Sequence, residues 1–504
     1  MTEDQPDRNR ISRRHALAVL GTGAAALISG SEAPFVGEEG VRPARTGQLT
    51  TDGSGGEQPS RNGTECEGEA CGDSTDHPGE SITAYGALSD PDDQRISTAE
   101  RNLRALLEAA RAAGRNGTVY IPSGTYYIGH DGSGPDPFVR FGGREPPGIS
   151  IVGAGPEVAT LAISEHTPPD EQPNQSGLMW EEGYDHGTIT VENVRLHGNY
   201  EALPNLSKAG GGSWGLQTGG RGRIRLHNAY ISGWHLAGLR GRHMVERVER
   251  CTFEDNGIGV HNDANGDANS HHISVRPRRG TTCRIRNCQF LDCAGNVVNI
   301  RYNDGRLRMV NCHATGTGSG LCKLSGGSHV VFRHVYHEGH TDSLEQKVDE
   351  RPDGPNFYGR NCINSLGERG SRSVTLRTEH LESWDTTEYA LQSRGEIGNG
   401  PPAVKWVGDM VAIHNANMTN GEVAIRNREG GSFDGVEFRR LSVHGSSGDV
   451  FSTTRSSGRI ETLHRDNAGG LGNPGDITIE TDREGADPFV PEVPDAADVG
   501  INSS

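Results

Sequence analysis

The stretch Cys283–Tyr302, CRIRNCQFLDCAGNVVNIRY, has the residue pattern of three short strands separated by bends. Apolar Ile285 lies between polar neighbours, and Cys288 and Phe290 alternate with a polar residue, a period of two that is typical of half-buried strands. Asn287 separates the first strand from the second, and DCAG separates the second from the third. One such unit cannot bury its apolar side chains, but stacked copies can. The pattern therefore predicts a solenoid.

Similar units recur along the chain, each with a bend residue that is followed by a short strand. The bend residues are Asn193, Asn228, Arg250, Asn287, Asn311, His334, Thr378, Asn415 and Arg440. They are separated by 35, 22, 37, 24, 23, 44, 37 and 25 residues, so the shortest spacings give the repeat and the longer ones contain loop insertions. Asparagine fills five of the nine positions. Its side chain tolerates left-handed backbone geometry and can hydrogen-bond to an Asn stacked above or below.

An asparagine-marked bend between two short strands resembles the asparagine ladder of right-handed parallel β-helix proteins, the pectate lyase-like (pectin lyase fold) superfamily. The resemblance covers roughly Ser81 to Asp482. It implies an all-β fold, a right-handed parallel β-helix of about ten three-strand coils. The superfamily includes lyases, hydrolases, esterases, epimerases and binding proteins. The resemblance therefore predicts the fold and leaves the reaction open.

Composition divides the chain into four segments. Residues 1–33 contain a paired arginine in SRRH and then a mildly apolar run that is too short to span a membrane, a pattern typical of a twin-arginine signal peptide. Residues 34–80 are poor in apolar side chains and are predicted to form a disordered acidic linker, and residues 485–504 a disordered acidic tail. Residues 81–484 are the predicted β-helix domain. The sequence thus predicts a secreted, extracellular protein without stable membrane insertion.

Residues 81–128 are predicted to cap the N-terminal end of the β-helix. An apolar stripe with helical spacing is formed by Leu103, Leu106, Leu107 and Ala110. Two strands follow it in GTVYIPSGTYYI. A helix at this place covers strand edges that the open end of the solenoid would otherwise expose.

The charge balance restricts the partners of the protein. The chain has 504 residues, 45 Arg, only 4 Lys and a formal charge of −18, which resembles the composition of haloarchaeal proteins. Such an acidic surface excludes nucleic acid as an expected partner, because phosphate binding needs clustered cations. The hydrophobic content of 32% is low, as expected for a solenoid with short strands and polar loops. We expect a monomer.

Three of the nine cysteines, Cys251, Cys288 and Cys312, occupy the same register position in successive units. They are expected to form a column inside the solenoid about 4.8 Å apart, which suits packing better than a metal cluster. Disulfides are the alternative, with these candidate pairs: neighbours within the column, Cys293 with Cys283 or Cys322, and Cys66 with Cys71.

In the pectate lyase-like superfamily the substrate cleft lies on the strand that follows the third bend of each coil. The side chains of this sequence predicted to point outward there are Arg240, His261, Asn299, Arg301, Lys323 and Arg426. Arginine binds carboxylates through two parallel hydrogen bonds, so the row indicates an anionic, uronate-containing polysaccharide as partner. The alternative is a solvated sheet face whose cations pair with nearby acids.

A charged insertion follows His261 beside this predicted cleft. Asp263 and Asp267 are candidate ligands for Ca²⁺, which prefers several oxygen ligands. His271 and His272 are candidate bases in the same loop. Three arginines are candidates for neutralising substrate carboxylates: Arg276, Arg278 and Arg279.

The resemblance implies a polysaccharide lyase that cleaves the polymer by β-elimination. A cation neutralises the uronate carboxylate, a base removes the neighbouring C–H proton, and the glycosidic oxygen leaves. The candidate bases are Lys323, Arg301 and His261. Tyr302 follows Arg301 and is the candidate donor to the leaving oxygen, with an ordinary rim aromatic as the alternative.

Two alternatives stay open. A glycoside hydrolase needs two carboxylates, and Asp263 and Asp304 lie on the same bend of neighbouring units, although the signatures of polygalacturonase-like hydrolases are missing. A non-catalytic, polysaccharide-binding surface protein would use the basic row as a sugar track. Four further histidines are expected on the surface, with a metal site as the lesser alternative: His313, His334, His337 and His340.

Overall fold

The computed structural model describes parts of the chain from residue 77 onward, and residues 1–76 lie outside the described residues. The described residues are 77, 79–129, 139–141, 148–167, 177–181, 187–199, 214–218, 222–241, 245–257, 270–277, 280–300, 305–325, 329–339, 341–349, 362–366, 374–379, 381–384, 391–394, 403–414, 425–428, 432–445, 448–453 and 456–485. The predicted signal peptide, nearly all of the linker, and the tail after residue 485 stay predictions.

The described part of the chain begins with a cap made of one strand and two helices. Strand β1 (Glu80–Ser81) is followed by a 3₁₀-helix, Ile82–Tyr85, and by helix α1, Ile96–Ala113. The predicted stripe is confirmed, because Leu103, Leu106 and Ala110 are buried in the core and Leu107 packs against it. No described helix is both long and apolar enough to cross a membrane.

The described strands form two parallel sheets, and the strands are numbered in chain order. Sheet one contains β4 (Val139–Phe141), β7 (Gly177–Glu181), β10 (Trp214–Thr218), β13 (Ala237–Gly241), β16 (His271–Val275), β18 (Asn296–Ile300), β20 (Gly320–Ser325), β22 (Ile363–Leu366), β25 (Leu391–Arg394), β27 (Ile425–Arg428), β29 (Phe451–Ser452) and β31 (Gly472–Asn473). Each of these strands pairs with the next one in chain order, one coil further along.

Sheet two is built from the strands that come before and after the asparagine bend. It contains β1, β2 (Gly117–Ile121), β3 (Gly124–Ile128), β5 (Ile149–Gly153), β6 (Ala159–Ile163), β8 (Thr188–Glu192), β9 (Arg195–His197), β11 (Arg223–His227), β12 (Tyr230–Ser232), β14 (Val245–Glu249), β15 (Thr252–Glu254), β17 (Thr282–Cys293), β19 (Arg306–Thr317), β21 (His329–Glu338), β23 (Val374–Thr378), β24 (Leu381–Trp384), β26 (Ala403–His414), β28 (Ser432–His444), β30 (Ser456–Asp466) and β32 (Asp476–Glu484). The chain is a right-handed parallel β-helix, as predicted.

The predicted bends have left-handed backbone geometry in the first part of the solenoid. The φ angles are positive at Asn193, Asn228, Arg250, Asn287, Asn311 and His334. The Asn228 amide donates to Asn193 Oδ1 at 2.7 Å, and the Asn311 amide donates to Asn287 Oδ1 at 3.3 Å. The asparagine ladder is therefore present, with Arg250 interrupting it between two asparagine pairs.

The predicted bend alignment is wrong at two later positions. Strand pairing places Val335, the residue after the His334 bend, opposite Leu381, and Leu381 opposite Val411, whereas the predicted alignment placed residues 379 and 416 there. Thr378 pairs with Phe332 inside a strand, and Asn415 comes after β26 has ended. Loop insertions change the number of residues per coil here, so spacing alone misassigned the register.

The cysteine column lies inside the solenoid, as predicted. Cys288 pairs in register with Cys312, and Gln289 N–H donates to the Cys251 carbonyl oxygen on the other side. All three thiols are buried, so their role is packing. The disulfide pairs predicted for Cys283, Cys293 and Cys322 are wrong, because each is a free thiol. Cys66 and Cys71 lie outside the described residues.

Helix α2, Asp342–Asp349, is attached to the bends that precede two strands of sheet one. Lys347 Nζ lies 2.6 Å from Asp255 Oδ1 and 2.6 Å from Asp292 Oδ2. The Ser343 hydroxyl donates to Asp292 Oδ2 at 2.6 Å, and Leu344 is buried. One lysine thus joins an inserted helix to two consecutive coils.

Candidate functional site

The outer face of sheet one carries two rows of side chains in register. The first row is Trp214, Ala237, His271, Asn296 and Gly320. The second row is Gln217, Arg240, Ser274, Asn299 and Lys323, and the backbone register continues from Lys323 to positions 364, 392 and 426.

The rows face outward because the two positions between them face the core. Val297 and Val298 of β18 are both members of the hydrophobic core. His272 of β16 packs against Phe253 and Phe290, with ring centroids 6.0 Å and 5.7 Å away. Two consecutive inward residues bend each strand near its start, so residues on either side of the pair face outward.

The structure places four of the residues predicted for the cleft in one register. Arg240 and Asn299, predicted to bind substrate, and Lys323, a predicted base, belong to the second row, and Arg426 occupies a backbone position that continues its register. The strand predicted around His261 is misplaced, because β16 occupies the position in sheet one between β13 and β18. His261 itself, together with Arg301, lies outside the described residues.

The charged insertion also ends earlier than predicted. His271 and His272 lie in β16 rather than in a loop, and they are only 4% and 0% exposed. Arg276 follows the strand directly, and its N–H donates to the Gly241 carbonyl oxygen at 3.0 Å. The remaining predicted site residues lie outside the described residues: Asp263, Asp267, Arg278, Arg279, Tyr302 and Asp304. In the described part of the chain, no group of three His, Cys, Asp or Glu residues is placed to hold a metal ion.

The polar side chains of the two rows contact one another across strands. The Arg240 guanidinium carbon lies 4.1 Å from the centroid of the Trp214 ring, a cation–π contact. Asn299 Nδ2 lies 2.8 Å from His271 Nε2. Gln217 and Asn299 are each 3% exposed, whereas Arg240, Ser274 and Lys323 are half-buried. The rows therefore form a closely packed polar surface with partly accessible cations.

Buried polar atoms of the rows without a hydrogen-bond partner among the described residues include Trp214 Nε1, Gln217 Nε2 and Asn299 Oδ1. Most buried polar atoms in proteins are hydrogen-bonded, and leaving one without a partner costs about 1–3 kcal/mol. Two of these residues lie on β10 and the third on β18, three ladder steps away on the same face of the sheet.

Two buried histidines belong to the interior instead. Burial lowers the pKa of His272 and of His337 to about 3, so both imidazoles are neutral. His337 lies 2.7 Å from Thr317 Oγ1 and 3.1 Å from Ser383 Oγ, so its predicted surface position is wrong. Strand pairing places His337 opposite Ala314, a core residue, so its imidazole faces the interior. His313 and His334 are at least partly exposed, and His340 lies outside the described residues.

Sequence reasoning missed Trp214, Gln217 and the outward position of His271. A signal was present, because WGLQ at 214–217 and AGLR at 237–240 share the pattern x-G-L-polar at one repeat spacing. Aligning that pattern places Trp214 above Ala237 and Gln217 above Arg240, as the strand pairing does. The pattern does not continue in HHIS at 271–274, where the two inward residues are His272 and Ile273 instead of Gly and Leu. The sequence pattern therefore did not identify His271 as an outward residue.

The class of protein that the fold defines is the right-handed parallel β-helix. No protein-family model matches the sequence, and no curated protein matches it either. Solved structures similar to the chain include a GH87 α-1,3-glucanase catalytic unit from Streptomyces thermodiastaticus, with 13% identity, 85% of this chain and 71% of that chain covered, and a TM-score of 0.41.

Two further similar structures come from other bacteria. The A-module of the mannuronan C-5 epimerase AlgE6 from Azotobacter vinelandii has 13% identity, with 81% of this chain and 99% of that chain covered and a TM-score of 0.36. A family 28 exopolygalacturonase from Yersinia enterocolitica has 10% identity, with 81% and 78% covered and a TM-score of 0.43. At these identities the likeness does not extend to activity.

Proposed function

We propose that the protein is an exported polysaccharide-active β-helix protein, a lyase that cleaves an anionic, uronate-containing polysaccharide by β-elimination. The observation that supports this most is the chemistry of the two rows on sheet one. They carry arginine, lysine, imidazole and amide groups, and none of their residues is an Asp or Glu. Arginine, lysine and amide groups on one face suit an anionic sugar and the charge that develops during elimination.

In the proposed reaction, Arg240 binds the carboxylate of one uronate unit, and Lys323, three ladder steps along the sheet, binds the carboxylate of the unit that reacts. Neutralising that carboxylate acidifies the C–H bond beside it, and a base then takes the proton. The electron pair of that bond forms a carbon–carbon double bond, and the bond to the glycosidic oxygen breaks. Water protonates the leaving oxygen, so the products are a new chain end and an unsaturated uronate.

Calcium does not fit the described rows as a resident ion. Ca²⁺ prefers six to eight oxygen ligands with carboxylates among them, and the rows offer amide and hydroxyl oxygens beside two cations. We therefore derive no step through a metal ion. The predicted ligands Asp263 and Asp267 lie outside the described residues, so chelation still belongs in the test.

A hydrolase is the second candidate of the same fold, and a non-catalytic binding protein the third. Hydrolysis needs a pair of carboxylates, one as acid and one as base or nucleophile. The two rows supply no such pair, and Asp263 and Asp304, the predicted one, lie outside the described residues. The described face therefore favours a lyase over a hydrolase, because its two rows carry cationic and amide groups and no pair of carboxylates.

The test uses the protein from residue 34 onward in concentrated salt, with pectic, alginate-like and sulfated polysaccharides, with and without chelator. Ultraviolet absorbance follows unsaturated uronate, and a reducing-sugar assay follows new chain ends. Both signals should rise together, and Lys323→Gln should weaken them strongly, whereas Arg284→Gln, exposed on sheet two, should not. Reducing ends without absorbance would establish the hydrolase. Retention on a polysaccharide column without product would leave binding alone.

A further inference from the structure

We propose that sheet two carries a second, non-catalytic binding surface for an anionic polysaccharide, an inference that rests on the proposed function for the chemistry of the polymer. The surface lies on the outer side of four strands that pair one after another, β11, β14, β17 and β19, in their segments before the bend. It consists of six exposed arginines, here called the arginine face: Arg225, Arg247, Arg284, Arg286, Arg306 and Arg308.

An alternation of arginine with apolar residues produces this face. RIR at 223–225, RIR at 284–286 and RLR at 306–308 have the period of two that is typical of a half-buried strand. The middle residue of each triplet is buried in the core, so the arginines on either side of it point outward. The triplets are far apart in the sequence, and the cations come together only when the coils stack.

Strand pairing stacks four of these arginines directly on one another. Arg225 pairs with Arg247, and Arg247 pairs with Arg284. Arg284 in turn pairs with Arg308. Neighbouring strands lie about 4.8 Å apart, so the stack presents one arginine per coil along the axis of the solenoid. The two other arginines of the face lie beside the stack, on the strands of Arg284 and Arg308.

Few carboxylates neutralise the arginine face. The described side chains of the four strand segments before the bend include one carboxylate, that of Glu249, whose Oε2 lies 2.6 Å from Arg247 Nη2. Three arginines of the face form no ion pair with any residue that the structure describes: Arg284, Arg306 and Arg308. A chain with a formal charge of −18 thus keeps a local cationic surface, which suits an anionic partner.

The arginine face is separate from the two rows of sheet one. Ile285 of sheet two and Val298 of sheet one belong to the same hydrophobic core, so the outer sides of the two sheets point away from that core in different directions. One short stretch of polymer therefore cannot contact both surfaces. Two stretches of one long polymer can.

A polyuronate fits the chemistry and the spacing of the stack. Arginine binds a carboxylate through two parallel hydrogen bonds, and every unit of a polyuronate carries one carboxylate. One pyranose unit of an extended chain is about as long as the distance between two strands, so successive carboxylates can reach successive arginines. Phosphates along one strand of duplex DNA follow each other at about 3.4 Å, which does not match the coils. The face also lacks the aromatic rings on which the bases of a single strand stack.

A second surface for the same polymer keeps the protein on its substrate between cleavage events. While the rows of sheet one release a product, the arginine face still holds the chain, so the next segment is present at a high effective concentration. The benefit depends on polymer length, because a short oligosaccharide cannot occupy both surfaces.

Binding to immobilised polygalacturonate tests the arginine face, with Lys323→Gln as the parent protein so that the polymer stays intact. One variant of this parent carries Arg284→Gln, Arg306→Gln and Arg308→Gln together. The matched control removes three exposed arginines at the C-terminal end of sheet two: Arg439→Gln, Arg459→Gln and Arg483→Gln. At one salt concentration we expect binding to weaken about tenfold or more in the first variant and less than about twofold in the control.

Cleavage assays with Lys323 restored separate the face from the cleft. The variant that lacks Arg284, Arg306 and Arg308 should cleave a short uronate oligosaccharide at the wild-type rate and lose the wild-type preference for long polymer. Equal binding by the two triple variants, slower oligosaccharide cleavage in the first of them, or no binding by the parent protein overturns the inference. Tighter binding of duplex DNA than of polygalacturonate overturns it too. If the wild type forms no unsaturated product, the lyase fails, whereas loss of polymer binding in the first variant alone still establishes the arginine face.

Discussion

At the scale of single residues, burial separates the histidines of this chain into two kinds. His271 faces outward and contacts an amide of the next strand, whereas His272, its neighbour, is fully buried against aromatic rings. His337 is equally buried and is held between two hydroxyl groups. An imidazole in such a place must stay neutral, so the interior histidines make folding sensitive to acid.

We expect the free energy of unfolding to fall as the pH drops from about 6.5 to about 3. Burial lowers the pKa of His272 and His337 to about 3 in the folded protein. In that pH range the unfolded chain binds more protons than the folded one, so stability is present above the window and is lost below it. Each histidine contributes on the order of 4 kcal/mol to the change.

The measurement is urea unfolding at a series of pH values for the wild type and for His337→Gln. The variant should show a shallower fall between pH 6.5 and pH 3, since one titrating group is gone. His329→Gln, which removes an exposed histidine, should reproduce the wild-type slope. If His337→Gln kept the full slope, the acid sensitivity would have another source.

Lys347→Met should destabilise the protein, and more at pH 8 than at pH 5. Burial is the main cause that raises the pKa of Asp255 to about 6, and Lys347 opposes it. Without the lysine the pKa of Asp255 rises further. A carboxyl group with a raised pKa loses stability as pH rises through the window, because ionising it in place is costly. Removing one partner of a buried ion pair costs about 3 kcal/mol.

Thermal unfolding at the two pH values tests this, with Arg284→Met as the control because that arginine is exposed on a strand. The control should lower Tm little and equally at both pH values. An equal loss at pH 5 and pH 8 in Lys347→Met would show that the lysine acts through packing of α2 rather than through the carboxylates.

At the scale of elements, the asparagine bend is what made the fold readable. Asn228 and Asn193 hydrogen-bond to each other, and so do Asn311 and Asn287, so each bend residue stabilises its neighbour in the stack. The same bends were misassigned after His334, because no asparagine marks them and insertions vary the coil length. The fold could thus be predicted from a local residue pattern, whereas the register between coils follows only from the strand pairing in the structure.

Arg250→Asn should stabilise the β-helix. Arg250 has a φ of 54°, a left-handed conformation that costs most side chains about 1 kcal/mol more than asparagine. It also stands between Asn228 and Asn287 in the stack, because the Asn228 N–H donates to the Glu249 carbonyl oxygen and the Arg250 N–H donates to the Arg286 carbonyl oxygen. An asparagine there would join the two separate hydrogen-bonded pairs into one ladder, for a total gain of about 1–2 kcal/mol.

Urea unfolding of Arg250→Asn gives the gain directly, and Arg284→Asn is the matched control. Arg284 is exposed within a strand at a normal backbone angle, so asparagine there should be neutral or mildly destabilising. A loss of stability in Arg250→Asn would mean that the arginine side chain contributes more than the strained backbone costs.

The outward rows show the limit of sequence reasoning about a site. Arg240, Asn299 and Lys323 were predicted to share a row because inward and outward residues alternate along a strand. His271 was not, because its coil replaces the usual inward pair with a histidine and an isoleucine, and because an insertion hides where the strand begins. Contacts between side chains on different strands, such as His271 with Asn299, follow from register rather than from any local pattern.

At the scale of the whole molecule, the solenoid buries its thiols along much of its length. All seven cysteines among the described residues are reduced and buried, from Cys251 to Cys362. Burial raises the pKa of Cys283, Cys293 and Cys362 to about 12. The thiolate is the reactive form of cysteine, so these groups are inert while the coils stay stacked.

We therefore expect at most two of the nine cysteines to react with a thiol reagent in the native protein, because only Cys66 and Cys71 lie outside the described residues. The seven others should react after unfolding in urea.

The order in which these seven cysteines react also reports how the solenoid unfolds. Each coil contacts only its neighbours, so coils can unfold one after another or all together. Mass spectrometry of protein labelled at intermediate urea would show chains carrying none or seven of these labels if the coils open as one unit, and intermediate numbers if they open in turn. Reaction of Cys288 or Cys312 without denaturant would contradict the packed column itself.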